Sequence, residues 1–282
     1  MIEAIVNILT MTVKITVIVF LMMAVIEYLQ LRYQPTMRRG LTGRRWIQYV
    51  VAAALGVVPG CAGAFFVVSL YMRGLTSFGA LAAVLIATSG DGAFVLLTET
   101  PQTAPLLFAI CGLAGVPVGF VADALVDKFN IKLCEHCEPQ LHDEDMAASP
   151  FSLSHFVREH VYHHIIRQHL LSLFLWLLGA FVVLQLIQPY MDVRGLPVSN
   201  VVLVVIAAGI GILPESGAHL LFVLLFAEGA IPFSVLLAIS IVQDGHGLIP
   251  LLSASVRDSL YVKAVNVAAG LVIGLAALGL GY

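Results

Sequence analysis

The sequence predicts an all-α polytopic integral membrane protein made of two inverted-topology repeats, with about 10 membrane segments. Three observations lead to this fold class: the composition, the lengths of the apolar segments and an internal repeat. Of the 282 residues, 60% are hydrophobic and only 11% are charged. Soluble domains carry about 25% charged residues, and a soluble fold of this size could not bury so much apolar side-chain surface.

The apolar segments divide the chain into two membrane repeats and a polar loop. Residues 1–127 form the first repeat, residues 128–165 form a Cys/His/acidic loop with an amphipathic segment, and residues 166–282 form the second, inverted repeat. Each repeat contains two apolar runs that are too short to span a bilayer, because a span needs about 20 helical residues. These runs cover residues 47–58, 61–72, 198–213 and 216–227. We expect each pair to form a re-entrant hairpin of half-helices, followed by a broken transmembrane helix.

The repeats are visible as internal sequence similarity. A shift of 155 positions places residues 56–97 on residues 211–252 without a gap. The identical pairs include backbone breakers, namely Pro59 with Pro214, Gly90 with Gly245, and Gly92 with Gly247. Matched helix breakers are harder to explain by chance than matched apolar residues, because proline and glycine interrupt helices for physical reasons.

The placement of charge predicts the orientation. Three spans and one hairpin in the first repeat make an odd number of crossings, which inverts the second repeat. If the loop 31–46 is cytoplasmic, most Lys and Arg residues, Lys263 among them, lie on or near that side, as the positive-inside rule requires. The sequence therefore predicts an N-terminus outside and a cytoplasmic central loop.

Polar and ionisable side chains gather at the four predicted backbone breaks. The breaks themselves are marked by Pro59, Gly60, Gly90, Gly92, Pro214, Gly217, Gly245 and Gly247. The side chains at the breaks are Cys61, Ser89, Asp91, Glu215, Ser216, His219, Gln243, Asp244 and His246. Transporters with inverted repeats bind their substrates at such discontinuities, and ionisable groups inside a membrane are functional by default.

Three carboxylates and two imidazoles at the breaks predict a transport site for a divalent metal. Mixed oxygen and nitrogen ligands suit Mn, Fe, Co or Zn better than Mg or Ca. A proton relay and a structural Asp–His network are the alternatives. Cys61 would favour softer metals as a ligand, or it is a small residue that allows close helix packing. Lys14 is a candidate counter-charge for a site carboxylate, or it snorkels to the interface.

The central loop is a second candidate metal-binding region. Its candidate ligands are Cys134, His136, Cys137, His142, His160 and His164. Two cysteines three positions apart, with imidazole and carboxylate beside them, could hold a soft or borderline cation. A solvated polar linker is the alternative interpretation.

These features together resemble a known family. The paired hairpins, Gly90-Asp91-Gly92, the motif Gln243-Asp244-Gly245-His246-Gly247 and the Cys/His-rich loop resemble a bacterial family described as manganese transporters. The same family is described as ten-helix heavy-metal exporters and is distantly likened to arsenic permeases. The resemblance implies a divalent-metal transporter of the bacterial cytoplasmic (inner) membrane, with ten membrane segments when each half-helix is counted. It favours manganese and efflux.

The sequence therefore predicts a secondary active transporter for a divalent transition metal, with manganese favoured, Zn, Fe or Co as alternatives, and protons as the candidate exchanged ion. A permease for arsenite or another oxyanion is one alternative, since half-helix N-termini attract anions. Against it, Lys14 is the only cation that the sequence places near the breaks. A passive ion channel is the other alternative.

The remaining expectations concern partners and chemistry. An enzyme is not expected, because the motifs His-Glu-x-x-His and Gly-x-Ser-x-Gly are absent from the sequence. No cofactor is expected beyond the metal substrate. The expected partners are the metal ion and the lipid bilayer, with no nucleic acid, and the Gly- and Ala-rich helices are compatible with a homodimer.

Overall fold

The structure, a computed structural model, describes residues 6, 8–21, 24–25, 28, 41, 44–133, 162, 170–187, 199–213 and 216–282. Within those residues all regular secondary structure is helical. Four segments are long and apolar enough to cross a membrane: Phe78–Glu99, Ala104–Phe129, Phe233–Ala254 and Val256–Gly279. The predicted class, an all-α polytopic membrane protein, is confirmed.

The described helices form two series that follow the same order. The first series is α1 (Ile8–Leu21), α2 (Arg45–Val57), α3 (Ala62–Met72), α4 (Phe78–Ala87), α5 (Gly92–Glu99) and α6 (Ala104–Phe129). The second series is α7 (Leu171–Ile187), α8 (Asn200–Ile210), α9 (Ser216–Ala227), α10 (Phe233–Val242), α11 (Ile249–Ala254) and α12 (Val256–Gly279). A 3-10 turn, Gly245–Leu248, precedes α11. The helix bounds lie close to the predicted apolar runs.

The two series repeat the same backbone geometry at the same spacing of 155 positions. Gly74 and Gly229 have φ values of 68° and 69°, and Gly90 and Gly245 have φ values of 52° and 53°. Residues with a Cβ rarely adopt this left-handed conformation, so glycine is needed at all four turns. The shared glycines therefore specify shared turns, which explains why they are matched in the sequence.

Each series also packs its last helix on its broken helix in the same way. In α6, Gly115 approaches Ala83 of α4, and in α12 the equivalent residue Gly270 approaches Ala238 of α10. A Cβ added to either glycine would meet the neighbouring backbone carbonyl at 2.6 Å and 2.9 Å, respectively. Small residues at such crossings let two helix backbones come close, which is how membrane helices commonly associate.

The two broken helices lie at the centre of the protein. All residues of α4 are buried, as are residues 234–242 of α10. By contrast, α6 and α12 expose large apolar side chains, such as Leu113, Phe120 and Val272. An interrupted backbone is tolerated at membrane depth only where protein or a watery cavity covers it. The central position of α4 and α10 meets this requirement.

The halves contact each other through α3 and α9, the second helix of each short pair. Helix α3 of the first half packs on the 3-10 turn and α11 of the second half, and α9 packs on α5. The closest approaches bring Gly247 against Ala64 and Gly92 against His219. These two contacts are related by the same shift of 155 positions, so the two halves pack against each other with approximate two-fold symmetry. The breaks consequently meet where the halves join.

Candidate functional site

The first break separates α4 from α5 at residues 88–91. The helix stops at Thr88, whose backbone is extended (φ −82°, ψ 133°), and the Thr88 hydroxyl accepts a hydrogen bond of 3.3 Å from the Gly90 N–H. The Gly90 carbonyl accepts a 3.2 Å hydrogen bond from the Gly60 N–H. The break and the hairpin tip of the first half are therefore joined, and Asp91 follows directly at the start of α5.

The second break repeats this design with a longer side chain. Gln243 is extended like Thr88 (φ −71°, ψ 137°), and its Oε1 accepts a 2.9 Å hydrogen bond from the Gly245 N–H. The same side chain donates from Nε2 to the Thr88 carbonyl at 3.0 Å. In this structure Gln243 therefore joins the second break to the first, and the side chains that follow the two breaks lie close together.

Three potential metal ligands converge at this junction. Each of Cys61, Asp91 and His246 offers one ligand atom, and these atoms lie within 4.8 Å of one another. Cys61 Sγ is 3.8 Å from Asp91 Oδ1, and His246 Nδ1 is 3.7 Å from Asp91 Oδ2. Cys61 and Asp91 are buried, whereas His246 is partly exposed. Within the described residues, no other group of three or more His, Cys, Asp or Glu side chains could hold a metal.

The ligand group follows the repeat. Asp91 and His246 occupy equivalent positions after the shift of 155, so each half supplies one ligand from its break. Cys61 comes from the hairpin tip of the first half. One sulfur, one nitrogen and one carboxylate oxygen form a donor set that suits divalent transition metals better than Mg or Ca.

The structure places Asp244 in a different cluster. Its carboxylate is fully buried, forms an ion pair with the Lys263 ammonium and accepts a 2.6 Å hydrogen bond from the Asn266 side-chain amide. Lys263 Nζ also donates to the carbonyls of Gly211 (3.3 Å) and Val242 (3.1 Å). Asp244 is thus surrounded by partners of its own, outside the group formed by the three ligands.

The premise that Lys14 is the only cation near the breaks is wrong. Lys263 reaches the second break, because α12 packs along α10 and carries the lysine to the break from 19 positions downstream of Asp244. Lys14 itself is exposed on α1. The side chain of Lys263, which the sequence places on or near the cytoplasmic side, is buried within the second half.

Other predicted site residues lie beside the ligand group. His219 of α9 is buried against Gly92, and its Nε2 is 3.0 Å from the Ser240 hydroxyl. Its Nδ1 has no hydrogen-bond partner among the described residues, and the same holds for the buried hydroxyl of Ser89. Gly217 packs against Trp176 of α7. These residues line the junction without joining the three ligands.

Several residues of the predicted sites lie in parts of the chain that the structure does not describe. Pro214, Glu215 and the side chain of Ser216 at the second hairpin tip lie outside the described residues. The same is true of the candidate loop ligands Cys134, His136, Cys137, His142, His160 and His164. Their roles stay predictions from the sequence.

Sequence reasoning missed Lys263, Asn266 and a buried carboxylate at the start of α12. Lys263 and Asn266 are three positions apart, so they share a helix face, and polar residues in a membrane helix usually face the protein interior. That signal was available in the sequence. The carboxylate is Asp258, which accepts a 2.8 Å hydrogen bond from the hydroxyl of Tyr71 and thereby links α12 to α3.

Comparison with known proteins identifies a family. Residues 3–196 match the model of a family whose description reads "Putative, 10TM heavy-metal exporter". No curated protein matches the chain. No solved structure matches it either. The matched region contains Cys61 and Asp91 and ends before the second break.

Proposed function

Because this chain belongs to the family of 10TM heavy-metal exporters, we propose that it is a secondary active transporter that exports a divalent transition-metal cation across the bacterial inner membrane. The observation that carries the proposal is the convergence of Cys61, Asp91 and His246 where the two broken helices meet. In transporters built from inverted repeats, the substrate ligands usually lie at helix interruptions near the membrane midplane.

The origin of the ligands suggests how the metal is released. Asp91 belongs to the first half and His246 to the second, so a movement of one half against the other changes the distance between them. A metal held by both halves in one state loses a ligand in the other state. Three protein ligands also leave a position for water, which keeps binding reversible.

Two arguments bear on the identity of the metal. The family resemblance favours manganese. The thiol of Cys61 and the imidazole of His246 are ligands that bind Zn, Co and Fe(II) more tightly than Mn in the usual order of divalent affinities. The proposed cargo is therefore a divalent transition metal, with manganese and zinc as the two metals to compare first.

Protons are the proposed exchanged ion. A metal replaces protons on its ligands, because thiols, imidazoles and carboxylates bind metals in their deprotonated forms. Export of the metal would thus be coupled to proton entry at the same ligands.

Lys263 gives no support to the oxyanion alternative. A permease for arsenite or another oxyanion would need a cation or several N–H groups directed at its substrate. The ammonium of Lys263 is instead engaged by Asp244 and by two backbone carbonyls. Its charge is used within the protein, and the ligand group at the junction is rich in metal donors.

Flux measurements in proteoliposomes test the function. We expect saturable transport of Mn or Zn, with an internal dye reporting opposite proton movement. The Asp91→Asn variant should lose transport by about 100-fold or more, because the loss of a ligand exceeds the 10–100-fold effect of its supporting residues. Asp127→Asn, at an exposed carboxylate paired with Arg45, is the matched control and should transport normally.

Other outcomes would redirect the proposal. Equal flux in the wild type and in Asp91→Asn would show that the junction is not the transport site. Movement of arsenite without any cation would indicate an anion permease. Cation flux that never saturates and moves no protons would indicate a channel.

The proposed orientation places the N-terminus outside and the central loop in the cytoplasm. It rests on the distribution of Lys and Arg in the sequence. Cysteines introduced in place of Arg44 and Arg194 should be labelled from the cytoplasmic and the external side, respectively. Labelling of both from one side would rule out the inverted arrangement.

A further inference from the structure

The ammonium of Lys263 lies in a cage of oxygen atoms. Its three acceptors are the carboxylate of Asp244, the carbonyl of Gly211 after α8 and the carbonyl of Val242 at the end of α10. An ammonium group has three N–H donors, so the cage satisfies all of them. Both carbonyls belong to helix C-terminal ends, which carry partial negative charge and favour a cation.

The cage is held together by contacts that do not depend on the lysine. Asn266 donates to the second oxygen of Asp244 at 2.6 Å, which fixes the orientation of the carboxylate. Gly211 packs against Val242, so the two carbonyls are brought together by the crossing of α8 and α10. These contacts therefore position the oxygens around one point independently of their bonds to the ammonium.

The equivalent place in the first half is built without charge. A shift of 155 positions relates Asp244 to Ser89 and Lys263 to Phe108. Gly56 packs against Ala87 there, as Gly211 packs against Val242, so the backbone arrangement is shared. The first half thus forms the same backbone arrangement without a cation and a carboxylate at these positions.

We propose that the cage is a binding site for a small monovalent cation, which the tethered ammonium of Lys263 fills in the native protein. Two helix-end carbonyls and one carboxylate provide the hard oxygen ligands that an alkali or ammonium ion prefers. The native chain consequently needs no sodium ion at this point. Shortening the lysine to alanine removes the stem as well as the charge, which leaves space for an ion with its water.

This inference goes beyond the proposed function and does not depend on it. The alternative is an ordinary buried ion pair, in which only the lysine fits its carboxylate. Both interpretations predict that Lys263→Ala destabilises the protein, since it leaves a buried carboxylate unpaired. Only a cation site predicts that a soluble cation restores the stability, because a ligand that binds the folded state alone stabilises it by mass action.

The test measures the thermal unfolding midpoint of the purified, metal-free full chain in sodium, ammonium or methylammonium chloride, against choline chloride at equal ionic strength. We expect Lys263→Ala to gain about 5–10 °C at a cation concentration of about 100 times Kd, with a saturable dependence. The wild type should respond equally to all four salts. The exposed Lys14→Ala is the matched control and should behave as the wild type.

A second variant shows where the cation binds. Lys263→Ala combined with Asp244→Asn should unfold at the same temperature in every salt, because the charged oxygen of the cage is gone. A Lys263→Ala protein that gains nothing from any small cation, or that stays unfolded in both sodium and ammonium, would overturn the proposal. A gain that persists in the double variant would overturn it as well. Metal transport is not part of the readout, so a failure here leaves the proposed function untouched.

Discussion

The two breaks share a backbone and differ in charge. Each begins with an extended residue whose side chain accepts a hydrogen bond from a left-handed glycine two positions later. In the first half the carboxylate is Asp91, which contacts a thiol and an imidazole. In the second half the carboxylate is Asp244, which contacts an ammonium. The two breaks therefore share a backbone conformation, but their carboxylates have different kinds of partner.

The sequence does not distinguish Asp91 from Asp244, whereas the structure gives the two carboxylates different partners. Asp91 lies among donors that a metal could use. Asp244 has its charge balanced by the chain itself, so the second break is held together electrostatically whether or not a metal is bound. The symmetric backbone brings the breaks together, and the asymmetric side chains decide which carboxylate lies among the potential metal ligands.

The largest expected contrast concerns the stability of two matched variants. Asp244→Asn leaves the ammonium of Lys263 buried without its counter-charge, which should lower the free energy of unfolding by about 3–5 kcal/mol. Asp91→Asn should change it by less than about 1 kcal/mol, because an amide can still bond to a thiol and an imidazole. Denaturation of the purified proteins measures both, and equal losses would contradict the division of roles.

The next contrast concerns two aromatic residues at equivalent positions. Tyr71 packs edge-on against Phe78, with ring centroids 6.3 Å apart, and Phe226 packs in the same way against Phe233 at 6.1 Å. Only Tyr71 bonds to a buried carboxylate, Asp258. Tyr71→Phe should therefore lower the free energy of unfolding by about 1–3 kcal/mol.

Two control variants belong to this measurement. Phe226→Tyr should bring no stabilisation, because the shift of 155 relates Asp258 to Thr103, which is not a carboxylate. Tyr261→Phe, at an exposed tyrosine of α12, should leave the free energy of unfolding, measured by denaturation, unchanged. A harmless Tyr71→Phe would show that the link between α3 and α12 contributes little.

A smaller effect is expected on metal selectivity. Cys61 corresponds to Ser216 in the second half, so Cys61→Ser makes the two hairpin tips alike. Replacing a soft sulfur by a hydroxyl should shift the ratio of Mn to Zn transport towards Mn by about tenfold, or about 1.4 kcal/mol. The control is Cys111→Ser, at a buried cysteine of α6, which should leave the ratio of Mn to Zn transport unchanged. An unchanged ratio in Cys61→Ser would show that the thiol is not a ligand of the transported metal.

The smallest contrast is expected between the two left-handed glycines of the breaks. Gly90→Ala and Gly245→Ala should each cost about 1–2 kcal/mol, because both residues have φ near 50°. The two costs should agree within about 0.5 kcal/mol if the breaks are equivalent scaffolds. Gly179→Ala, in the middle of α7 with open space around it, should not destabilise the protein. Unequal costs would show that one break is strained differently.

The sequence predicted the parts of the fold that depend on local physics. Apolar length identified the helices, and the matched glycines marked the interruptions that follow Ala87 and Val242. These features depend on a few consecutive residues, namely on the cost of exposing polar groups to lipid and on the backbone freedom of glycine. The family resemblance was confirmed by the match to residues 3–196.

Which ionisable residues act together depended on the tertiary structure. Asp91, Asp244 and His246 looked alike in the sequence, since each is polar and lies next to a glycine in a break. Their partners come from other elements: Cys61 from a hairpin tip, and Lys263 from the last helix. Sequence spacing cannot predict which way a side chain points after an irregular turn, because the helical period ends there.

The sequence by itself determined that the protein is a membrane protein of two related halves. Each half has helix interruptions, whose backbone groups cannot face lipid. Only the tertiary structure decided that Cys61, Asp91 and His246 meet, and that Lys263 neutralises Asp244. Hydropathy and helix breaking act over a few neighbouring residues. Coordination and ion pairing act over a few ångströms between segments that lie far apart in the chain, so they exist only after the helices have packed.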